Sequence, residues 1–321
     1  MHTLVKILSI CLLVCLTWLG WLAPAHAAPA QGGLSFESGF APAQDLTVWP
    51  LQLAHGYPLV RAQVGDVQGV FMIDTGTPWG LLLNSARITL PDASFVLAAT
   101  AGSGQKFDVN RATTMPPIAI HGQRWAQVRD VHSADLSFIE KGTGMGPYLG
   151  FIGANFLKDS ALTLDYARRV AVLQRLNPDT GAPLAALPPH RTGGAVVASM
   201  RYRGKSPSFP VFDATLGGTP VRVMLDSGNP GATIDRTWLA TLQAAGAAVP
   251  FSHMDNEATY RLGPLLLSGT AVPVEDATGY DAPSVVNGQT DHQLVRIGFS
   301  LLKHLGVTWN YRLQTMTFFT P

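Results

Sequence analysis

Apolar residues come in short runs along this chain rather than in long helical stripes. Val70–Ile73, Ala171–Leu173, Val221–Leu225 and Met316–Phe319 are bounded by Gly, Pro, Asn and Asp. Runs of this length with this punctuation predict β-strands. Helix is confined to short pieces around Asn155–Lys158 and Asp235–Ala245. Many short strands with abundant Gly and Pro predict an all-β architecture, with a barrel-like or sandwich-like sheet in each half and minor helix.

The halves are visible as an internal repeat. At an offset of 152, Tyr57-Pro58-Leu59-Val60 falls on Phe209-Pro210-Val211-Phe212, and Val64-Gly65 falls on Leu216-Gly217. At the same offset Met72-Ile73-Asp74-Thr75-Gly76 falls on Met224-Leu225-Asp226-Ser227-Gly228, and Pro78 on Pro230. A second block repeats at an offset of 145. Ile152-Gly153, Leu157-Lys158, Thr163 and Tyr166 meet Ile297-Gly298, Leu302-Lys303, Thr308 and Tyr311. The same order and similar spacing in both halves predict a duplicated domain. The segment 177–207, rich in Pro, Gly and Ala, is expected to include the connection between the lobes, with Ala195–Tyr202 as the first strand of the second.

The amino terminus changes the picture before any fold is assigned. Lys6 precedes an uncharged apolar run from Ile7 to Ala23, and Ala25-His26-Ala27 supplies a small-x-small pattern. That order predicts a secretory signal over 1–27, cleaved after Ala27, and hence a periplasmic or secreted protein. The competing reading is an uncleaved anchor, since the run approaches the length of a membrane span. A lipoprotein reading lacks the small residue wanted directly before Cys15. The expected organisation is therefore a leader at 1–27, one lobe at 28–190 and a second at 191–321.

Cys11 and Cys15, the only two cysteines, both lie in that leader. The processed chain would carry no disulfide, no thiolate nucleophile and no cysteine metal site. Without Lys6 the 22 basic residues fall to 21, equal to the 21 acidic ones. So even a balance excludes the basic excess that nucleic acid or an anionic membrane surface would select. Once the leader is removed, no membrane partner is expected. The nine histidines are scattered, with no His-Glu-x-x-His and no i, i+4 pair, so no metal site is predicted.

The candidate chemistry rests on Asp74 and Asp226. Each ends an apolar strand and is followed by a small hydroxyl residue and a glycine: Thr75-Gly76 in one half, Ser227-Gly228 in the other. The glycines are expected to tolerate strained φ/ψ in a tight turn. Thr75 and Ser227 offer hydroxyls that can reach the opposite loop. Two such loops about a pseudo-twofold axis bring the carboxyls close enough to compete for one proton. The ionised partner can then act as a general base on water while the protonated one donates to a carbonyl oxygen, with no metal or organic cofactor. Thr77 and Asn229, one residue beyond each glycine, can hydrogen-bond toward the pair.

On these residues the chain resembles the aspartic peptidases, pepsin-like and retropepsin-like. Paired aspartates sharing a proton are a standard illustration of carboxyl tuning in that family. The resemblance extends to a downstream apolar-apolar-Gly element, Phe151-Ile152-Gly153, which ends 79 residues after Asp74, and more loosely Arg296-Ile297-Gly298, ending 72 after Asp226. Arg296 departs from the apolar pattern. The resemblance implies two six-stranded-type β lobes with a central cleft, a peptide or protein substrate bound extended in it, and a β-hairpin flap. It also implies an aspartic endopeptidase that acts as a monomer, because both halves lie in one chain. The alternative is a non-catalytic peptide-binding or inhibitor-like protein on the same fold.

No flap tyrosine is evident. The best hairpin tip is Thr100–Gly104, with Gly102, Ser103 and Gly104, and Phe107 as an aromatic wall; a plain exposed turn is the competing reading. Trp79 either fills the lobe core or lines the cleft, and core is preferred. Gly142–Gly146 lacks the helix and Lys-Ser/Thr of a phosphate loop and is expected to be turn material near the cleft. Ser103 has no nucleophile-elbow context.

Overall fold

A computed structural model describes residues 45–101, 105–125, 131–187, 194–203, 210–254, 257–280, 284–286 and 289–321. The leader at 1–27 and Gly102, Ser103 and Gly104 lie outside the described residues, as do 188–193 and 204–207 of the expected connection.

The chain is mostly β, and its two lobes carry sheets of the same order. In the first lobe Ser94–Thr100 is followed across the sheet by Lys106–Ala112, Val131–Ala134, Leu81–Asn84, Tyr148–Gly153, Val67–Asp74 and Tyr57–Val64. In the second, Ala248–Met254 is followed by Glu257–Leu267, Thr270–Tyr280, Ala232–Asp235, Leu294–Ile297, Thr219–Leu225 and Val211–Leu216. Three short strands, Ile118–Ile120, Gln123–Trp125 and Gln52–Ala54, extend the first sheet to ten. The second has seven and closes on itself, because Thr215 and Leu216 also pair with Leu266 and Leu265. Sheets of ten and seven strands replace the six-stranded-type lobes that the family resemblance implied.

The third sheet belongs to both halves. Its six strands run Leu46–Pro50, Val170–Arg175, Ser160–Asp165, Gly306–Asn310, Thr315–Phe319 and Val196–Arg201. At its centre Ser160–Asp165 pairs antiparallel with Gly306–Asn310, and Thr163 faces Thr308, its own counterpart in the repeat. Their hydroxyls are 2.7 Å apart. A residue meeting its repeat partner marks the local pseudo-twofold axis. The strand expected at Ala195–Tyr202 forms, but at the edge of this shared sheet rather than in the second lobe's own sheet.

Strand Val67–Asp74 explains why its sequence is apolar at consecutive positions. Phe71 and Ile73 enter the large core that spans both lobes and the shared sheet, while Met72 joins a second cluster on the opposite face. A strand covered on both sides cannot alternate apolar with polar residues. The second cluster also takes Tyr57, Leu59, Trp79, Phe107, Tyr148 and Phe151. The second lobe repeats the arrangement with less filling: Val223, Leu225, Val295 and Ile297 enter the main core, and Val211, Met224 and Leu294 form a small cluster behind them.

Helices are short, as expected. Ala154–Leu157 and Phe299–Leu302 follow the two Ile-Gly pairs. Arg236–Ala244 is capped by Asp235, whose side chain accepts from the Thr237 and Trp238 amides. Gly142 and Thr143, expected as turn, instead close helix Ser137–Thr143, which ends on left-handed Gly144. Among the described residues no helix is long and apolar enough to cross a membrane.

Candidate active site

Each half delivers its aspartate by the same local construction. Strands Val67–Asp74 and Tyr148–Gly153 run parallel, with Met72 beside Phe151 and Ile73 beside Ile152. Strands Thr219–Leu225 and Leu294–Ile297 do likewise, with Met224 beside Arg296 and Leu225 beside Ile297. The chain then turns: the Thr77 amide donates to the Asp74 carbonyl at 3.2 Å, and Asn229 to that of Asp226 at 3.0 Å. The residue after each Ile-Gly pair braces the turn from outside. Ala154 donates to the Thr77 carbonyl and Phe299 to that of Asn229, both at 2.9 Å. A methyl group on Gly153 would overlap the Trp79 carbonyl, and one on Gly298 the Asn229 carbonyl. Thus the repeat seen in the sequence is a repeat of packing.

The two loops lock onto each other reciprocally. The Thr75 amide donates to Ser227 Oγ and the Ser227 amide to Thr75 Oγ1, both at 3.0 Å. Thr75 Oγ1 in turn donates to the Leu225 carbonyl at 3.2 Å, and Ser227 Oγ to that of Ile73 at 2.7 Å. Both residues are fully buried. Four hydrogen bonds therefore cross the pseudo-twofold at the level of the aspartates.

Asp74 and Asp226 face each other inside this frame, 0% and 2% exposed. Here the structure corrects the sequence reading of the glycines. Neither Gly76 nor Gly228 is in the left-handed region, so conformational freedom is not what the position needs. A Cβ on Gly76 would stand 2.5 Å from Asp226 Cγ, and one on Gly228 2.6 Å from Asp74 Cγ. Each glycine is the space into which the opposite carboxyl fits.

The carboxyls are held unequally. Asp74 Oδ1 accepts from the Gly76 and Thr77 amides at 2.8 and 3.0 Å, and Oδ2 from Thr77 Oγ1 at 2.7 Å. Asp226 Oδ1 accepts from the Gly228 amide at 2.9 Å. Asn229 does not mirror Thr77 in the bonds seen: its Nδ2 donates to Thr233 Oγ1 and the Arg296 carbonyl, and its Oδ1 accepts from Gly231. A longer amide reaches past the aspartate to the neighbouring strand. Burial, followed by the charge of Asp226, pushes Asp74 well above the usual carboxylate range against the bonds from Thr77 and Gly76. Burial also raises Asp226, opposed first by the charge of Arg296 and then by a hydrogen bond shared with Asp74. Two desolvated carboxyls in contact resist simultaneous ionisation.

Phe107 is 8% exposed and packs in the second cluster, its ring 6.0 Å from that of Phe138. Its strand pairs with Ser94–Thr100 as an edge hairpin of the first lobe. Trp79 is 7% exposed in the same cluster, 5.6 Å from the His132 ring, in keeping with the core reading. A cavity of about 340 Å³ opens beside this hairpin, lined by Ser85, Lys106, Asp108, Asp135, Phe138 and their neighbours. None of its lining residues belongs to either aspartate loop, so this hollow is separate from the paired carboxyls. Among the described residues no cluster of three His, Cys, Asp or Glu could hold a metal.

Sequence reasoning missed a second tier. Tyr166 and Tyr311, already paired by the 145-residue repeat, are both buried. Both phenols are pushed well up, by burial first and then, for Tyr166, by Asp226 and Asp74, and for Tyr311 by Tyr202 and Asp74. The repeat was the signal; what it lacked was a reason for a tyrosine there.

No protein-family model matches this sequence, and no curated protein matches it. Among solved structures, basic 7S globulin from soybean is similar over 86% of this chain and 95% of that one, at 11% identity and a TM-score of 0.50. That neighbour has an aspartic-protease-like all-β fold. At this level of identity the likeness shows the fold alone.

Proposed function

We propose that the chain is an aspartic endopeptidase that hydrolyses peptide bonds with water activated between Asp74 and Asp226. The observation that carries the reading is the pair itself. Two carboxyls, buried and in contact, are framed by reciprocal Thr75–Ser227 bonds, with a glycine opposite each to admit its partner. In such a pair the ionised carboxyl takes a proton from water, and the protonated one donates to the scissile carbonyl oxygen. Thr77 orients Asp74 directly, and Gly76, Ser227, Gly228 and Asn229 shape the loops. The substrate is an extended peptide segment of a protein, recognised in part by main-chain hydrogen bonds. The protein acts as a monomer outside the cytoplasm after loss of residues 1–27.

Purified protein lacking 1–27 is assayed on a peptide library. Asp74→Asn and Asp226→Asn should each lower cleavage by about 10²–10⁴-fold, the span of general acid–base catalysis, while remaining folded. Near wild-type turnover in either variant would remove the assignment. A second reading keeps the fold without the chemistry: a non-catalytic peptide-binding or inhibitor-like protein. It predicts that a statine-type inhibitor raises the melting temperature while no library peptide is cut.

A further inference from the structure

Arg296 breaks the symmetry of this site. Its repeat counterpart is Phe151, fully buried in the first lobe's second cluster, where it packs against Tyr148. An arginine at the matching position is 5% exposed. Its neighbours Val295 and Ile297 enter the main core. Alternation along the strand therefore sends its side chain to the opposite face, the one shared by Met224 and Leu294. Met224 is its cross-strand partner and lies two residues before Asp226. The Asp226 amide donates to the carbonyl of Ile297, the residue after Arg296, at 3.0 Å. A guanidinium is thus buried on the second lobe's side of the pair, where the first lobe has a phenyl ring.

We propose that Arg296 is a positioning residue that sets the polarity of the dyad, keeping Asp226 as the ionised member and Asp74 as the holder of the shared proton. This rests on the peptidase reading for its consequence, though not for its test. A guanidinium stays charged at every working pH. A dyad with one shared proton carries one negative charge, and a buried cation beside it offsets the cost of burying that charge. Hydrogen bonds alone would favour the other choice, since Thr77 and Gly76 place three donors on Asp74. A full charge close by outweighs them, because Coulomb attraction is weakly screened where water is excluded. Consistent with this, the Arg296 charge is the foremost influence drawing Asp226 down.

Other ionisable groups on the elements packed around strand Leu294–Ile297 are engaged among themselves. Arg222 is paired with Asp291. Asp235 holds His292 Nδ1 at 3.1 Å while capping its helix. Beyond them Glu275 is bound to Lys303 and Arg261. Tyr148, Tyr166 and Tyr311 feel the dyad but keep their protons, each pushed up chiefly by burial. The chemical consequence is a division of labour: Asp226 activates the water and Asp74 protonates the carbonyl.

The test is a pH titration of aspartate-labelled protein followed by carboxyl carbon NMR, with the two signals assigned by their loss in Asp74→Asn and Asp226→Asn. In the wild type Asp226 should carry the lower midpoint. In Arg296→Met that midpoint should move to higher pH and the gap between the two signals should narrow, whereas Arg296→Lys should restore it. Should Arg296→Met fail to fold, Arg296→Gln is read in the same way. A lower midpoint on Asp74 in the wild type, or one that stays put when the charge is removed, would overturn the inference. The titration needs no turnover. A correct order without any cleavage would leave the polarity standing and remove the peptidase reading; cleavage with the wrong order would do the reverse.

Discussion

Asp74 and Asp226 hold their protons more tightly in the folded chain than in an unfolded one, because burial penalises the charged form. A raised folded pKa has a definite sign. The dyad's contribution to stability is complete below the ordinary aspartate range, near pH 4, and is lost as pH rises through the raised values. Asp74→Asn removes one of the two carboxyls and so removes part of that loss. An asparagine oxygen can still accept from the Gly76 and Thr77 amides, and Thr77 Oγ1 can reverse to accept from the new amide. The variant's melting temperature should therefore gain on the wild type as pH increases from about 4 toward neutrality, followed by calorimetry across that window. A gap that narrows with rising pH would contradict the direction of the shift. Thr77→Ala acts on the opposite side. It deletes the 2.7 Å bond to Oδ2, which favours the carboxylate, so the pH–rate profile should move to higher pH.

At the scale of elements, what matters is that two strand-to-loop units hold each other. Thr75 and Ser227 each accept from the opposite amide and donate to the opposite strand's carbonyl, all of it buried. Removing one hydroxyl strands a buried amide and a buried carbonyl together, a cost of about 1–3 kcal/mol per unsatisfied group. Ser227→Ala and Thr75→Val should each destabilise by that order. The double variant should cost less than the sum, with a coupling of about 0.5 kcal/mol or more, since residues in one network do not add. Strict additivity in chemical denaturation would mean the loops do not act as a unit. These loops were legible in the sequence because each is a local signal, an apolar strand ending in Asp, a small hydroxyl and Gly, repeated at a constant offset. The helix after Asp235 was legible for the same reason: its cap is adjacent in sequence. The roles of Gly76 and Gly228 were misread, because what they make room for is a carboxyl 150 or so residues away. The side-chain amide of Asn229 meets Thr233 and the Arg296 carbonyl, on strands the local pattern does not reveal.

At the scale of the whole molecule, the shared sheet decides how the halves are related. The sequence suggested two lobes joined by a connection, which would allow each to fold and melt by itself. Nothing local in Ser160–Asp165 or Gly306–Asn310 says that they pair, since register between strands so distant is set by packing and not by a turn. Yet their pairing, with Thr163 against Thr308, puts strands from both halves into one six-stranded layer. Trp49, Leu162, Leu173, Val307, Trp309 and Phe318 bury together in the core that spans both lobes. Separating the halves would expose this apolar seam and break the reciprocal loop bonds at once, so neither half has a low-cost way to open alone. The expectation is a single cooperative transition, with calorimetric and van't Hoff enthalpies in agreement. Leu162→Ala, a fully buried side chain at the central strand pair, should lower the stability of the entire molecule by about 2–5 kcal/mol, without splitting the transition. Two resolved melting steps, or a Leu162→Ala effect confined to one of them, would show that the lobes unfold independently and that the shared sheet is only a docking contact. A single step would mean that the dyad, which needs one aspartate from each half, is assembled by the same cooperative event that folds the chain, so the specific activity of the proposed enzyme should not fall on dilution.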